Sequence, residues 1–362
     1  MAANSFGNIF KITSFGESHG SHVGVVIDGC PAGLEINERQ INQALKLRAP
    51  GNSIYTSLRD EPDRCEIVSG LFCGKTTGAP ICILIANRDA DSSKYEPIKD
   101  ILRPGHANFT YLEKYGVFDY RGGGRASARE TVARVAAGSV AMKFLEKSGI
   151  HISGYIKQIG ALHAKIDLTI DNLQKITNQN PIFCPCSEAY PKMSALIERA
   201  IEIGDSVGGV VEFLVTSIPV GLGDPVYQKL EANLAYAMMS LPAARGFEIG
   251  DGFQSALMYG SEHNDIFIKN DSRVETKSNH AGGILGGITT GMPIIGRVAF
   301  KPASSIKKPQ ISLTTTGENI LFQLPEGSRH DPCVAIRAVP VVRAMVALVL
   351  ADAILLNRCA KC

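Results

Sequence analysis

The sequence predicts an α+β fold. Short apolar or alternating runs bounded by Gly and Pro are frequent, capped segments of helical periodicity are fewer, and one strand–turn–helix pattern occurs twice. Val23–Ile27, Ile81–Ile85, Val210–Val215 and Ile294–Phe300 read as strands. A helix is expected from Asn37, where Asn37 and Gln40 match a capping box; Ile41, Ala44, Leu45 and Arg48 share one face, and Pro50-Gly51 stops it. A second follows Ser127 and Glu130, another capping-box pair, with Val132, Val135, Ala136, Ser139, Val140 and Phe144 at helical spacing and Gly149 as terminator. A third is expected from Pro225, at the first helical position, to about Met239. The repeated pattern is Pro31-Ala-Gly-Leu34 and Pro219-Val-Gly-Leu222, each between a strand and a helix. It fits a duplicated βα unit, or a chance match of common turn chemistry.

With 362 residues, 45% of them hydrophobic, the chain can fill a substantial core. Its 37 basic and 35 acidic side chains leave a net charge of only +2. No global field draws it to nucleic acid or membrane, so an anion site has to be local. The first ten residues lack a basic stretch followed by an apolar one, and a cytoplasmic protein is expected. Cys333–Leu356 is the most apolar segment; interrupted by Arg337, Pro340, Arg343 and Asp352, it reads as a buried helix rather than a membrane span. Nine scattered cysteines suit reduced thiols. Cys184-Pro-Cys186 and the terminal Cys359-Ala-Lys-Cys362 are the two pairs with redox or metal-binding spacing. The long polar segments Asn87–Tyr111 and Tyr259–Gly282 exceed mere connections.

Two short motifs fail on context. Gly16-Glu-Ser-His-Gly20 satisfies the pattern of a hydrolase nucleophile elbow, but Ser18 leads into another strand instead of a helix. Gly70 to Thr76 resembles a phosphate loop with one residue too few between its glycines, and Pro80 and a strand follow; Gly74–Ala79 reads as a hairpin turn. The segment Arg121-Gly-Gly-Gly-Arg125-Ala-Ser-Ala-Arg129 runs into a helix start, where free N–H groups and arginines favour an anion. A plain capped helix or an RNA-binding RGG segment is the alternative, although RGG tracts are usually repeated. Arg103-Pro-Gly-His106, Lys301–Ser305 and Ser328–Pro332 are basic turns. Singly they are ordinary solvated loops; with Gly16–Gly20 they supply histidines for proton transfer, arginines for phosphate and hydroxyls for hydrogen bonds. The residues thus point to an enzyme acting on a phosphorylated anion.

Six segments resemble the motifs of chorismate synthases, in order: FGESHG (Phe15–Gly20), RPGHA (Arg103–Ala107), DYRGGGRASARET (Asp119–Thr131), NHAGGILGG (Asn279–Gly287), KPASS (Lys301–Ser305) and GSRHDPC (Gly327–Cys333). The likeness runs from the N-terminal strand to the C-terminal helix. It implies one α+β domain over residues 1–362, a β-α-β sandwich of two pseudosymmetric halves with antiparallel sheets around a helical core, assembled as a homotetramer. It also implies a 1,4-anti elimination of phosphate from 5-enolpyruvylshikimate-3-phosphate, using reduced FMN (FMNH2) without net redox change.

By the same resemblance His19 would be a general acid for phosphate departure, His106 would keep the reduced flavin correctly protonated, and Asp331 would help take up the substrate proton. Ser18, Arg48, Arg103, Arg129 and Arg329 match substrate-binding positions. Arg125, Ala126, Ser127, Pro242, Ala243, Gly286, Lys301, Pro302, Ala303, Ser304, Ser305 and Arg329 match flavin-binding ones. Glu17 would orient its turn or serve as a structural ion-pair partner. Ala49, Ile54 and Asp60 stand where relatives often carry basic residues, in a region some members associate with pyridine nucleotides. With no dinucleotide fingerprint elsewhere, an external flavin reductase is expected to supply the cofactor. No nucleic-acid, membrane or metal partner is implied.

Overall fold

The computed structural model describes residues 4–51, 53–57, 61–89, 91–167, 173–271, 273–328 and 330–361. Two five-stranded antiparallel sheets enclose a layer of helices. The first sheet orders Ser5–Phe6, Lys11–Phe15, His22–Asp28, Ile81–Ala86 and Cys65–Ser69. The second orders Leu162–His163, His151–Ile159, Gly209–Thr216, Ile294–Phe300 and Ala244–Ile249. All four strands expected from the sequence are present within a residue of their bounds. Alternation fixes their register: in Ile81–Ala86 the residues Ile81, Ile83 and Ile85 are buried and the intervening ones are half-exposed.

The two central helices are Thr131–Glu146 and Val334–Asn357. Their cores are buried almost all round, so neither reads as amphipathic; each lies between a sheet and the other helix. A Cβ at Gly138 would fall 2.4 Å from the Ala344 Cβ, so the close crossing needs glycine on one side. The second helix is long and apolar enough to cross a membrane, yet 83% of its most apolar window is buried within the protein. It is a core helix for that reason and not for want of length. Its Asp352 carboxylate accepts the N–H groups of Asn8, Ile9 and Phe10 and the Asn8 side-chain amide, tying the start of the chain to its end.

The short echo is a true structural repeat. Thr76 Oγ donates to Pro31 O and accepts from Leu34 N, while its backbone exchanges hydrogen bonds with Gly33 N and Leu34 O. Thr289 makes the same four bonds to Pro219, Leu222 and Gly221. Each threonine closes a two-residue hairpin, Leu71–Thr76 or Ile284–Thr289, so the turn lies at Cys73-Gly74 instead of Gly74–Ala79. Each central helix carries an arginine at its fourth residue, Arg134 or Arg337.

Two helix starts differ from expectation. Helix Glu38–Arg48 has the full Asn37/Gln40 capping box, with bonds of 3.0 and 3.1 Å. Ser127 and Glu130 form none. Ser127 Oγ instead accepts from Arg129 N in a 3-10 turn over Ala128–Glu130, because Glu130 is drawn to Ser14 Oγ and Arg134. Pro225 precedes a 3-10 turn, Val226–Gln228, and the α-helix begins only at Leu230, where Lys229 is extended and Leu230 N bonds Gly287 O. Pro225 is therefore not at a first helical position.

The long segments have structure of their own. Asn87–Tyr111 contains the 3-10 turn Ser93–Ile98 and the strand Ile101–Leu102. Tyr259–Gly282 forms a short helix, Gly260–His263, and the exposed hairpin Phe267–Thr276. Every described cysteine is free, including Cys184 and Cys186; Cys362, and with it the terminal pair, lies outside the described residues.

Candidate active site

One cavity of about 960 Å³ opens between the two halves. The residues preceding both central helices line it, Ala128–Glu130 on one side and His330 and Asp331 on the other. The positive end of each helix therefore bears on the same space. Arg48, Arg103, Arg125, Arg129, Arg134, Arg245, Arg337 and Lys301 outnumber the lining carboxylates Glu17, Glu61, Asp119, Glu130 and Asp331. A nearly neutral chain thus carries a locally cationic chamber.

The glycine run makes room for histidines. Gly122, Gly123 and Gly124 all have positive φ, which favours glycine. A Cβ on Gly122 would lie 2.2 Å from His19 ring atoms and 2.9 Å from Ser18 Oγ; one on Gly123 would lie 3.2 Å from His106 Nε2. The run is wedged between the two motif histidines. Two of its arginines are engaged within the protein: Arg121 pairs with Asp119, and Arg125 donates to Gly16 O, Asn4 Oδ1, Ser14 O and Ser14 Oγ. They fasten the loop to the first sheet, and Arg125 lines the cavity from there.

His19 sits in the turn between Lys11–Phe15 and His22–Asp28, edge-on to Tyr95 at 5.2 Å. Ser18 is buried, with Ser127 Oγ at 3.3 Å. Strand, turn, strand is the wrong frame for a nucleophile elbow. His106 is more constrained. Its Nδ1 faces the Asn108 N–H at 3.1 Å and its Nε2 faces Arg103 Nη2 at 3.1 Å, both donors. Burial, then Arg103, holds its pKa down to about 3, so at neutral pH it is an uncharged imidazole. Burial and Arg103 likewise hold His330 down to about 4, and its buried Nε2 has no hydrogen-bond partner among the described residues. Arg103 lies 5.9 Å from the Tyr95 ring centroid.

Behind this surface stands a layer the sequence did not reveal. Asp63, fully buried at φ 46°, accepts from Arg48 Nη2 at 2.9 Å and from Arg129 Nη1. Burial pushes its pKa up, but the two guanidiniums outweigh it and the net shift is downward. Burial lowers Arg48 to about 10 against the pull of Asp63. Glu61 stands 3.9 Å from Arg129 and accepts from Arg88 N and Asp89 N. Asp331 accepts from Ser57 N and Arg337, each at 2.8 Å, and Arg337 also donates to Arg48 O.

Of the sequence-expected site residues, Ser18, Arg48, Arg103, His106, Arg125, Ala126, Ser127, Arg129, Pro242, Ala243, Lys301–Ser305 and Asp331 line the cavity, and His19 packs on its wall. Lys301 Nζ donates to Gly105 O, joining the KPASS and RPGHA turns. Gly286 is not brought there; it is exposed at the tip of the Ile284–Thr289 hairpin. Arg329 and Asp60 lie outside the described residues. Ala49 is buried and Ile54 exposed. His330 belonged to a motif already noticed and Arg337 was noticed only as a break in an apolar segment, whereas Asp63 and Glu61 had no local signal, because the fold brings their partners to them.

Two pseudosymmetric sheets, a helical core and a cationic chamber with poised histidines define an enzyme of phosphorylated anions. The chain matches the family model for chorismate synthase over residues 10–355. It is 56% identical over 363 residues to chorismate synthase of Protochlamydia amoebophila (strain UWE25), covering 99% of each chain. It is 49% identical to that of Methanosarcina barkeri (strain Fusaro / DSM 804), covering 97% of this chain and 96% of the relative. A crystal structure of chorismate synthase superposes with a TM-score of 0.75 at 32% identity, covering 96% of this chain and 91% of that one. The chain belongs to the chorismate synthase family. Its reaction is the elimination of phosphate from 5-enolpyruvylshikimate-3-phosphate to give chorismate, a carbon–oxygen lyase step of the shikimate pathway.

Proposed function

We propose that this reaction takes place in the 960 Å³ cavity with reduced FMN bound beside the substrate. The observation that carries the reading is the convergence of five of the six sequence motifs on one cationic chamber. The donor set suits a flavin mononucleotide: Lys301, Arg245, Ser304 and Ser305 offer charge and hydroxyls for a phosphate tail, and the Nε2 of His330, without a partner among the described residues, leaves a buried polar atom for a ligand. When bound, the reduced cofactor lends electron density transiently as phosphate leaves.

The chain's own residues do the rest. Arg48, Arg103 and Arg129, with Arg329, bind the substrate's anionic groups, and Ser18 hydrogen-bonds it. His19 donates a proton to the departing phosphate. His106, kept neutral by Arg103 and burial, holds the protonation state of the cofactor by hydrogen bonding and not as an acid. Asp331, oriented by Arg337 and Ser57 N, faces the cavity as the acceptor for the substrate proton. Ala126, Ser127, Pro242, Ala243 and Lys301–Ser305 form the flavin wall, and Gly286 is assigned to it by family resemblance alone. The C–O bond to phosphate breaks, a proton leaves carbon, and a C=C bond forms with no net oxidation.

Residues 1–362 act as one cytoplasmic domain, and the flavin is reduced by a separate reductase. Homotetramer assembly is supported by the exposed apolar arm bearing Phe253, Leu257, Tyr259, Phe267 and Val274. The test mixes pure protein anaerobically with chemically reduced FMN and 5-enolpyruvylshikimate-3-phosphate and follows chorismate and phosphate together. Equal rates only with reduced flavin support the reading, and NADPH should not replace the chemical reductant. FMN binding at another site, or turnover with oxidised FMN, would refute it.

A further inference from the structure

The side chain of Asn87, at the end of strand Ile81–Ala86, makes three bonds that meet at the site. Its Oδ1 accepts from Arg129 Nε at 2.7 Å. Its Nδ2 donates to Glu17 O at 3.0 Å and to Gly20 O at 2.8 Å, the carbonyls on either side of Ser18 and His19. The amide orientation is forced, since a guanidinium only donates and carbonyls only accept. Its backbone N–H is itself fixed to Ser21 O at 2.9 Å.

We propose that Asn87 is a positioning residue that locks the Gly16–Gly20 turn, and with it His19, to the guanidinium of Arg129. The inference rests on the roles proposed above for His19 and Arg129. The job needs one acceptor and two donors on a short stem. Aspartate has the acceptor without the donors, serine a single donor, and glutamine an extra methylene that would displace both contacts. Arg129 is also held by Asp63 and by Ala86 O, so it survives the loss of Asn87 better than the turn does. Arg125 adds a bond only at Gly16 O, before the histidine.

The isosteric variant Asn87→Asp separates the two contacts. It keeps an acceptor for Arg129 and turns both turn carbonyls against a carboxylate. The turn should loosen while the arginine stays. With reduced FMN and 5-enolpyruvylshikimate-3-phosphate, kcat should fall about 10- to 100-fold, the scale of a small misplacement of a catalytic group. KM should stay within about threefold, as Arg129 remains in place to bind substrate. Asn87→Ala loses both contacts and should lower kcat and raise KM together. Because Asn87→Asp acts through the turn, the double variant with His19→Ala should be no slower than His19→Ala alone.

Melting curves establish that the variants are folded at the assay temperature, and if Asn87→Asp is not, Asn87→Ala decides. Near-normal kcat in the folded variant, or a loss additive with that of His19→Ala, overturns the inference while leaving the site roles standing. Normal turnover by His19→Ala instead overturns the reading of His19, and the inference falls with it.

Discussion

Replacing Asp63 with Asn should cost about 3–5 kcal/mol of stability, because it strands buried cations. The Asp63 side chain is 0% exposed, and those of Arg48 and Arg129 are 2% and 3% exposed. The isostere keeps one carbonyl to accept a single hydrogen bond, but removes the charge both guanidiniums share. Arg129 retains Asn87, Ala86 O and the more distant Glu61. Among the described residues Arg48 retains only Ala128 O and Thr131 Oγ and its Nε has no partner, while Arg337 and Arg129 repel it. Most of the loss therefore falls on Arg48. The sign with pH follows from the depressed folded pKa of Asp63. Its contribution is complete above the unfolded value of 3.8 and is lost as pH falls through the lower folded value. Urea unfolding of the two proteins at pH 7.5, followed by circular dichroism with equal slopes, reads the difference directly. The gap should close in strong acid. A shift below about 1 kcal/mol at neutral pH would mean the pair does not depend on Asp63, and the account of this layer would fail.

Two further outcomes follow from the same geometry. His106 and His330 have folded pKa values of about 3 and about 4 against an ordinary 6.5, so each contributes stability that is complete above pH 6.5 and declines as pH falls toward its folded value. Near pH 5 the two together should give a slope of about 2.7 kcal/mol per pH unit, and His106→Gln should remove about half of it; an unchanged slope in pH-dependent urea unfolding would refute the neutral, buried assignment. Gly122→Ala puts a methyl group 2.2 Å from the His19 ring on a backbone of positive φ, and should lower kcat/KM by about 100-fold in the chorismate assay, with a fall of a few degrees in melting temperature from the strained loop, on the order of 1–2 kcal/mol.

What the sequence revealed was local chemistry. Asn37/Gln40 capped a helix as read, and the four strands lay where alternation put them, because those signals act within a few residues. Where a local signal had a distant competitor, the competitor won. Glu130 left the cap of its helix for Ser14, 116 residues away. Arg125 is fastened to Gly16 and Ser14, more than 100 residues away, contacts that no local pattern around it signals. Asp63 reads as an ordinary polar residue after Pro62, and only the fold, by burying it between Arg48 and Arg129, gives it a role. Gly286 matched a motif in order along the chain, but order does not put a hairpin tip into a cavity.

The duplication explains how a chain of net charge +2 builds a cationic site. Matching halves, each closed by a threonine on its Pro-x-Gly-Leu turn, deliver two matching central helices that cross at Gly138 and Ala344. Both helices present their N-terminal residues to one cavity, so their positive ends and the arginines at matching fourth positions, Arg134 and Arg337, are concentrated there by the fold itself. A symmetric scaffold alone would make a symmetric anion trap. The directional chemistry comes from segments present once: the Gly16–Gly20 turn with His19, the Arg103–Ala107 turn with His106, and the Asp331 loop. These groups are coupled to the cationic field around them: after burial, Arg103 holds the His106 pKa down, and Arg337 orients Asp331, so a substitution in the anion-binding set also reaches the proton-handling one.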